Sequence, residues 1–185
     1  MILFIRKIKD YYWEVEDKQQ LCGEAITIDL KAEKNEWSVF KVDVNEVELT
    51  NSNIEKVILY LFLKFPKKPD FDGISIALFD QETLKRFNIN MPEGSQKMEN
   101  DVVHMNIKGI NYVEMHSGMD MLIDIVNNQE NRILNYSVKD IYNIIQKNSD
   151  YFSQEYKQFS NNIKDIINKI FKKYGFNRSD YELKS

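Results

Sequence analysis

The stretch Trp37-Ser38-Val39-Phe40-Lys41-Val42-Asp43-Val44 points to the fold class, because it predicts a strand with one buried and one wet face. From Phe40 onward its even-numbered positions are apolar and the intervening positions are charged. The same alternation runs over Ile26–Ala32, and Ile2–Ile8 is apolar and β-prone. Half-buried strands that follow one another along the chain are typical of an antiparallel meander.

Capping patterns mark where helices begin. The Ser-x-x-Glu pattern at Ser52–Glu55 predicts a helix whose apolar residues recur at three and four until Pro66 ends it. Asp80 is expected to cap a short helix over Glu82–Phe87, and Ser137 to cap a helix that follows it. A last apolar pattern runs from Phe152 to Tyr174 and is heptad-like.

Between these helices the sequence predicts further strands and one loop. The strands are expected at 74–79, 102–107 and 110–116, the last two forming a hairpin. Residues 90–100 have no periodicity and contain Pro and Gly, which favours a mobile loop. Residues 127–135 form a weak seam before the helical tail.

Taken together, these patterns predict an α+β fold. We expect a largely antiparallel sheet of about six or seven strands, with helices at 53–65, 118–127 and 138–174 packed on one face. The length of 185 residues suits a single domain. Its sheet-rich body is expected at 1–136 and its helical part at 137–185.

Composition narrows the class of protein. Hydrophobic residues make up 43% and aromatic residues 12% of the chain, which favours a folded protein. The single cysteine, Cys22, excludes an intramolecular disulfide and a cysteine-cluster zinc site, and its surroundings do not suggest a catalytic thiolate. The first apolar run is too short for a signal peptide, and no run reaches the roughly 18–20 residues of a membrane span. A cytoplasmic location is therefore expected, and the abundance of Asn, Ile and Lys suggests a bacterial or phage source.

Charge is distributed unevenly along the chain. Asp10–Glu55 carries 12 acidic residues against 4 lysines, whereas Ser137–Ser185 carries 9 basic residues against 6 acidic ones. An acidic front half disfavours direct nucleic-acid binding, because phosphates would be repelled. Aromatic residues lie among the acidic ones, and such mixtures suit protein recognition. The expected contact residues are Tyr11, Tyr12, Trp13, Glu14, Glu16, Asp17 and Trp37.

The function these features favour is non-catalytic. We expect an acidic protein-binding module that docks and blocks a basic partner, such as a nuclease or a nucleic-acid-binding protein, as inhibitors and immunity proteins do. No cofactor is expected, since phosphate-binding and dinucleotide-binding glycine motifs are absent from the sequence. A homodimer formed through the C-terminal helix is an alternative.

A second alternative is a metal-assisted hydrolase or nuclease. If a three-residue loop joins the hairpin at 102–116, His104 lies opposite Glu114, and His116 lies on the same face. Two imidazoles and a carboxylate can act as acid and base or bind a divalent metal. The same three side chains would equally suit an ordinary polar outer face.

Overall fold

The structure is a computed structural model, and it describes residues 1–8, 36–45, 47–48, 50–64, 71–108, 117–118, 120–121, 124–125 and 132–176. Strands and helices follow each other in the order β1 (Ile2–Ile8), β2 (Trp37–Asp43), α1 (Ser52–Lys64), β3 (Gly73–Phe79), α2 (Gln81–Arg86), β4 (Glu93–Lys97), β5 (Val103–Ile107), β6 (Ile133–Ser137), α3 (Val138–Lys147), α4 (Ser149–Gln158) and α5 (Asn161–Lys173).

The six strands of the described residues form one antiparallel sheet in the order β4-β5-β2-β1-β3-β6. One of the two central strands is β1, in which Ile5 lies opposite Phe40 of β2 on one side and Leu78 of β3 on the other. This sheet and the helices after it confirm the predicted α+β fold with a helical C-terminal part. The predicted strand at 26–32 lies outside the described residues.

One face of the sheet, here called the helical face, packs under α1 and the three C-terminal helices. Alternate residues of the central strands point into this layer, as the period of a strand requires. The buried residues of the layer include Leu3, Ile5, Phe40, Val42, Ile76, Leu78, Ile58, Leu61, Phe62, Ile141, Ile145, Phe152, Ile167 and Phe171. This cluster is the larger of the two hydrophobic cores.

The opposite face carries a second core built on Phe4, Trp37, Val39, Phe79 and Ile107. Leu84 of α2 and two helical residues, Met121 and Ile125, pack against it. The helix predicted at 118–127 was expected on the same face as the others, and its described residues lie on the opposite one. The hydrophobic pattern shows that a helix buries one side, but it does not show which layer receives it.

The predicted N-caps of α2 and α3, in which a side chain bonds to the backbone three residues later, are present in the structure. Asp80 Oδ1 accepts hydrogen bonds from the backbone N–H and the hydroxyl of Thr83, both at 2.8 Å. Ser137 and Asp140 form a reciprocal capping box at the start of α3. Both predicted caps are therefore confirmed.

The cap of α1 differs from the prediction. Asn51 Oδ1, rather than the Ser52 hydroxyl, accepts hydrogen bonds from the N–H groups of Asn53 and Ile54. Glu55 does not complete a capping box, since its Oε1 accepts a hydrogen bond at 2.5 Å from Lys147 of α3. Glu55 thus forms an ion pair with a distant residue in place of the predicted hydrogen bond within the first turn of α1.

The heptad-like pattern does not form one long helix. It breaks between α4 and α5, where Ser160 caps the new helix by accepting a hydrogen bond from the N–H of Ile163. Phe152, Tyr156 and Ile170 of this pattern are buried in the larger core. The apolar residues of the heptad-like pattern therefore pack mainly within the protein. The predicted stop at Gly175 is confirmed by its positive φ of 82°.

Two edge strands were not anticipated. Residues 93–97, predicted as part of a mobile loop, form the exposed strand β4, which pairs with β5. Residues 133–137, at the predicted seam, form β6 beside β3. Both gain their strand conformation from backbone pairing with a neighbour, which a sequence period does not reveal.

No helix within the described parts of the chain is long and apolar enough to cross a bilayer. The cytoplasmic location remains a prediction.

Candidate functional site

A cleft of about 470 Å³ opens on the face of the sheet opposite the helical face. It lies where β1 begins, β3 ends and the segment before β4 crosses. Its walls come from five parts of the chain and are formed by Ile2, Phe4, Lys41, Asp80, Gln81, Glu82, Met91, Pro92 and Met105. Clefts of about 300–1,000 Å³ with apolar walls and a few polar groups are the usual form of binding sites.

The sheet sets the floor of the cleft. Phe4 lies opposite Lys41 on one side and Phe79 on the other, and the rings of Phe4 and Phe79 are 6.1 Å apart. Phe4 is buried between its neighbours, while Met105 of β5 is half-buried. The floor of the cleft thus consists of packed aromatic rings with the flexible side chain of Met105 beside them.

Apolar side chains at the mouth of this cleft are unusually exposed. Ile2 retains 49% and Met91 37% of its accessible surface, and both line the cleft. Methionine adapts its shape to different partners, which is why it is common at binding surfaces. Exposed apolar residues beside a concave floor mark a candidate contact surface for another molecule.

The rim of the cleft carries charges of both signs. Burial opposes ionisation of Asp80, but the two hydrogen bonds from Thr83 and the Arg132 guanidinium outweigh it, and the pKa of Asp80 lies below its usual value. Arg132 lies 3.3 Å from the Asp80 carboxylate. Asp80 is therefore negatively charged at neutral pH and is partly balanced by Arg132, while Glu82 is exposed to solvent.

A second polar feature lies on the helical face, away from the cleft. Ser38 Oγ and His104 Nε2 are 2.6 Å apart, within hydrogen-bonding distance. Ser38 is exposed and His104 is half-buried against the edge of the Phe40 ring, with ring centroids 5.5 Å apart. The pair spans β2 and β5, the two strands that bring these residues together.

His104 is held in its neutral form. Burial lowers its pKa, and attraction to the Glu36 carboxylate only partly offsets this effect. Neutral imidazole has one nitrogen free to accept a hydrogen bond. At neutral pH the Ser38–His104 pair is therefore a hydroxyl beside an uncharged base.

The structure does not place His104 in the predicted hairpin. Both edges of β5 are taken, because Phe40 of β2 and Gln96 of β4 lie opposite His104. The edge that the hairpin assigned to Glu114 is thus occupied by β4. Glu114 and His116 lie outside the described residues, so the proposed trio remains untested.

Of the predicted partner contacts, only Trp37 lies in the described part of the chain. It lies on the opposite face of the sheet from Phe40, and it is completely buried. The Arg6 guanidinium lies 5.1 Å from the centre of its ring. A side chain with no accessible surface makes no direct contact with a partner, so Trp37 belongs to the core. Tyr11, Tyr12, Trp13, Glu14, Glu16 and Asp17 fall in undescribed positions.

Other charged side chains serve the fold. Lys64 bridges the carboxylates of Glu99 at 2.6 Å and Glu155 at 3.2 Å, which ties α1 to α4. The hydrogen bond to Glu99 raises the pKa of Lys64, and burial raises the pKa of Tyr151 nearby to about 12. In the portions of the chain that the structure describes, no three His, Cys, Asp or Glu residues are grouped so as to hold a metal.

Comparison with known proteins adds nothing to this picture, since no family model, no curated protein and no solved structure matches the chain. The predictions made from the sequence included neither the cleft nor Ser38. Exposure of Ile2 and Met91 follows only from tertiary packing. Ser38, however, was visible as a polar residue on the same strand face as Phe40.

Proposed function

We propose that this protein is a protein-binding module that docks a basic partner and blocks it, in the manner of an inhibitor or immunity protein. The observation that carries the proposal is the cleft with exposed Ile2 and Met91 at its mouth. Apolar anchors that enter a concave site supply most of the affinity of a protein interface. The partner is expected to insert an apolar side chain over Phe4 and Met105.

The preference for a basic partner comes from charge. The chain carries a net charge of −4, and its acidic residues are concentrated between Asp10 and Glu55. Part of this charge is used internally, since Glu55 is 7% exposed and binds Lys147. The remaining acidic residues would speed association with a positively charged protein and disfavour acidic competitors.

The cleft lies at the start of β1, and the acidic residues Glu14, Glu16 and Asp17 follow the end of this strand in the sequence. Ile2 lines the cleft, while the connection that contains Tyr11–Asp17 leaves after Ile8. At about 3.3 Å per residue, these two points are roughly 20 Å apart. An interface that reached both would be of ordinary size for a stable complex.

Two matched variants test the role of the cleft. Met91 and Ile163 are each 37% exposed, but Ile163 lies on α5, outside the cleft. Met91→Glu should abolish capture of the partner from the native lysate, because it places a charge in the apolar mouth. Ile163→Glu adds the same charge and should leave capture intact. Equal capture by the two variants would exclude the cleft as the docking site.

A second experiment tests the charge of the partner. Replacing Glu14, Glu16 and Asp17 together with Lys should weaken capture and flatten its salt dependence, because steering by the acidic stretch is lost. Mass spectrometry identifies the captured protein, and the isoelectric point then follows from its sequence. Capture of an acidic protein, or binding that salt does not weaken, would contradict the basic-partner proposal while leaving the cleft result standing.

A further inference from the structure

Three polar side chains share one patch of the helical face. Ser38 lies directly opposite Asn106, and Phe40 lies directly opposite His104. Because alternate residues of a strand share a face, Ser38, His104 and Asn106 project from the same side of the sheet. Side chains of directly opposite residues start about 4.5–5.5 Å apart at Cβ, and diagonal ones remain within reach. The strand register therefore brings a hydroxyl, an imidazole and an amide together.

The hydroxyl and the imidazole are already in contact. The 2.6 Å separation between Ser38 Oγ and His104 Nε2 is the distance at which a base takes a proton from a serine nucleophile. When His104 carries its proton on Nδ1, Ser38 donates to Nε2. Burial keeps the imidazole neutral and ready to accept the proton.

The patch can be reached by a small molecule. Ser38 is exposed, and His104 and Asn106 are half-buried. Phe40 contacts the His104 ring and also the ring of Tyr60 on α1, with centroid separations of 5.5 Å and 5.6 Å. The hydroxyl therefore remains open to solvent, while its base is partly shielded.

We propose that Ser38 is a nucleophile for activated esters, with His104 as its general base and Asn106 as the donor to the developing oxyanion. Ser38 Oγ attacks the ester carbonyl carbon while its proton passes to His104 Nε2. The carbonyl oxygen gains negative charge and accepts a hydrogen bond from the Asn106 amide. The C–O bond to the alcohol then breaks, the alcohol leaves with the proton from His104, and water later releases the acid. This activity is independent of the docking proposed above.

Covalent labelling tests the nucleophile. A fluorophosphonate probe should add to Ser38, with loss of fluoride, and peptide mass spectrometry should locate the adduct. His104→Ala should slow labelling by about 10²–10⁴-fold, the usual contribution of a general base. Ser75→Ala changes a serine on β3 outside the patch and should label normally. Absence of a Ser38 adduct from the wild type, or labelling unchanged in His104→Ala, would overturn the proposal.

Ester turnover tests the oxyanion donor. Hydrolysis of p-nitrophenyl acetate should fall to background in Ser38→Ala, and Asn106→Ala should lower it by about 10²–10³-fold. Circular dichroism of each variant confirms that the sheet is intact. A wild-type rate no faster than that of Ser38→Ala would show that the three residues form only a polar surface.

Discussion

Gly118 lies directly against the indole of Trp37. A Cβ placed on Gly118 would be only 1.7 Å from Cη2 of Trp37 and 2.5 Å from Cζ2. Trp37 is completely buried, so its ring has no solvent to move into. Glycine is thus needed at this position because of close packing between the helical residues at 117–118 and the second core.

Gly118→Ala should therefore destabilise the protein. Overpacking of a buried site typically costs about 1–3 kcal/mol. Urea unfolding followed by circular dichroism measures the change. Asp120→Ala, at an exposed position nearby, should alter the free energy of unfolding by less than about 0.5 kcal/mol. If both variants unfold at the same urea concentration, the contact between Gly118 and Trp37 is not as described.

The ion pair between Glu55 and Lys147 is expected to matter for stability. Glu55 is buried, and Lys147 Nζ lies 2.5 Å from its Oε1. Lys147→Ala would leave this carboxylate without that partner, at a cost of about 1 kcal/mol, because half of the lysine side chain is already in water.

The control for this pair is Lys139→Ala, which removes an exposed lysine from the same helix α3. It should leave the thermal midpoint close to that of the wild type. A Lys147→Ala midpoint equal to that of Lys139→Ala would argue that the pair contributes nothing to the fold.

His104 should make stability depend on pH. Its pKa is lowered in the folded protein, so the unfolded chain binds a proton more readily. The contribution of His104 to the free energy of unfolding is fully present above pH 6.5, the ordinary pKa of histidine. It is lost as the pH falls from 6.5 through the lower pKa that His104 has in the folded protein. Urea unfolding at several pH values should show this decline.

Comparison with His104→Gln isolates the effect, because every other titratable residue, including His116, is present in both proteins. The difference in unfolding free energy between wild type and variant should change below about pH 6.5 and be constant above it. A difference independent of pH would mean that His104 titrates alike in folded and unfolded chains.

The C-terminal helices are not expected to form a dimer interface. Phe152, Tyr156 and Ile170 of the heptad-like pattern are buried in the protein's own core, and Ile163 is its most exposed isoleucine. Ile163→Glu should therefore leave the mass in solution unchanged, as measured by sedimentation equilibrium. A wild-type dimer that dissociates in this variant would restore the homodimer as the better interpretation.

Several strands and helices could be predicted from the sequence because they depend on interactions between residues close together in the chain. The alternation around Phe40 and the three- and four-residue spacing after Ile54 each identify an element and its buried side. The caps at Asp80 and Ser137 were equally visible, because each bonds to the backbone three residues later. Interactions over such short separations need no knowledge of the rest of the fold.

Longer-range features were misread for a common reason. β4 is polar and aperiodic, and its strand conformation depends on hydrogen bonds to β5. Because β5 lies between β2 and β4, the His104 imidazole lies beside the Ser38 hydroxyl of β2, a contact that the sequence did not suggest. β5 pairs with its predecessor β4 and also with β2, which lies far earlier in the chain, and a local pattern reveals neither pairing.

The sequence by itself determined the fold class, the strand at β2, the helix at α1 and the caps of α2 and α3, since periodicity and capping act within a few residues. Only the tertiary structure decided strand order, which face each helix covers, and the burial of Trp37. It also decided that Ile2 and Met91 border a cleft and that Ser38 touches His104. These depend on which distant segments pair, and the same local patterns are compatible with many such pairings.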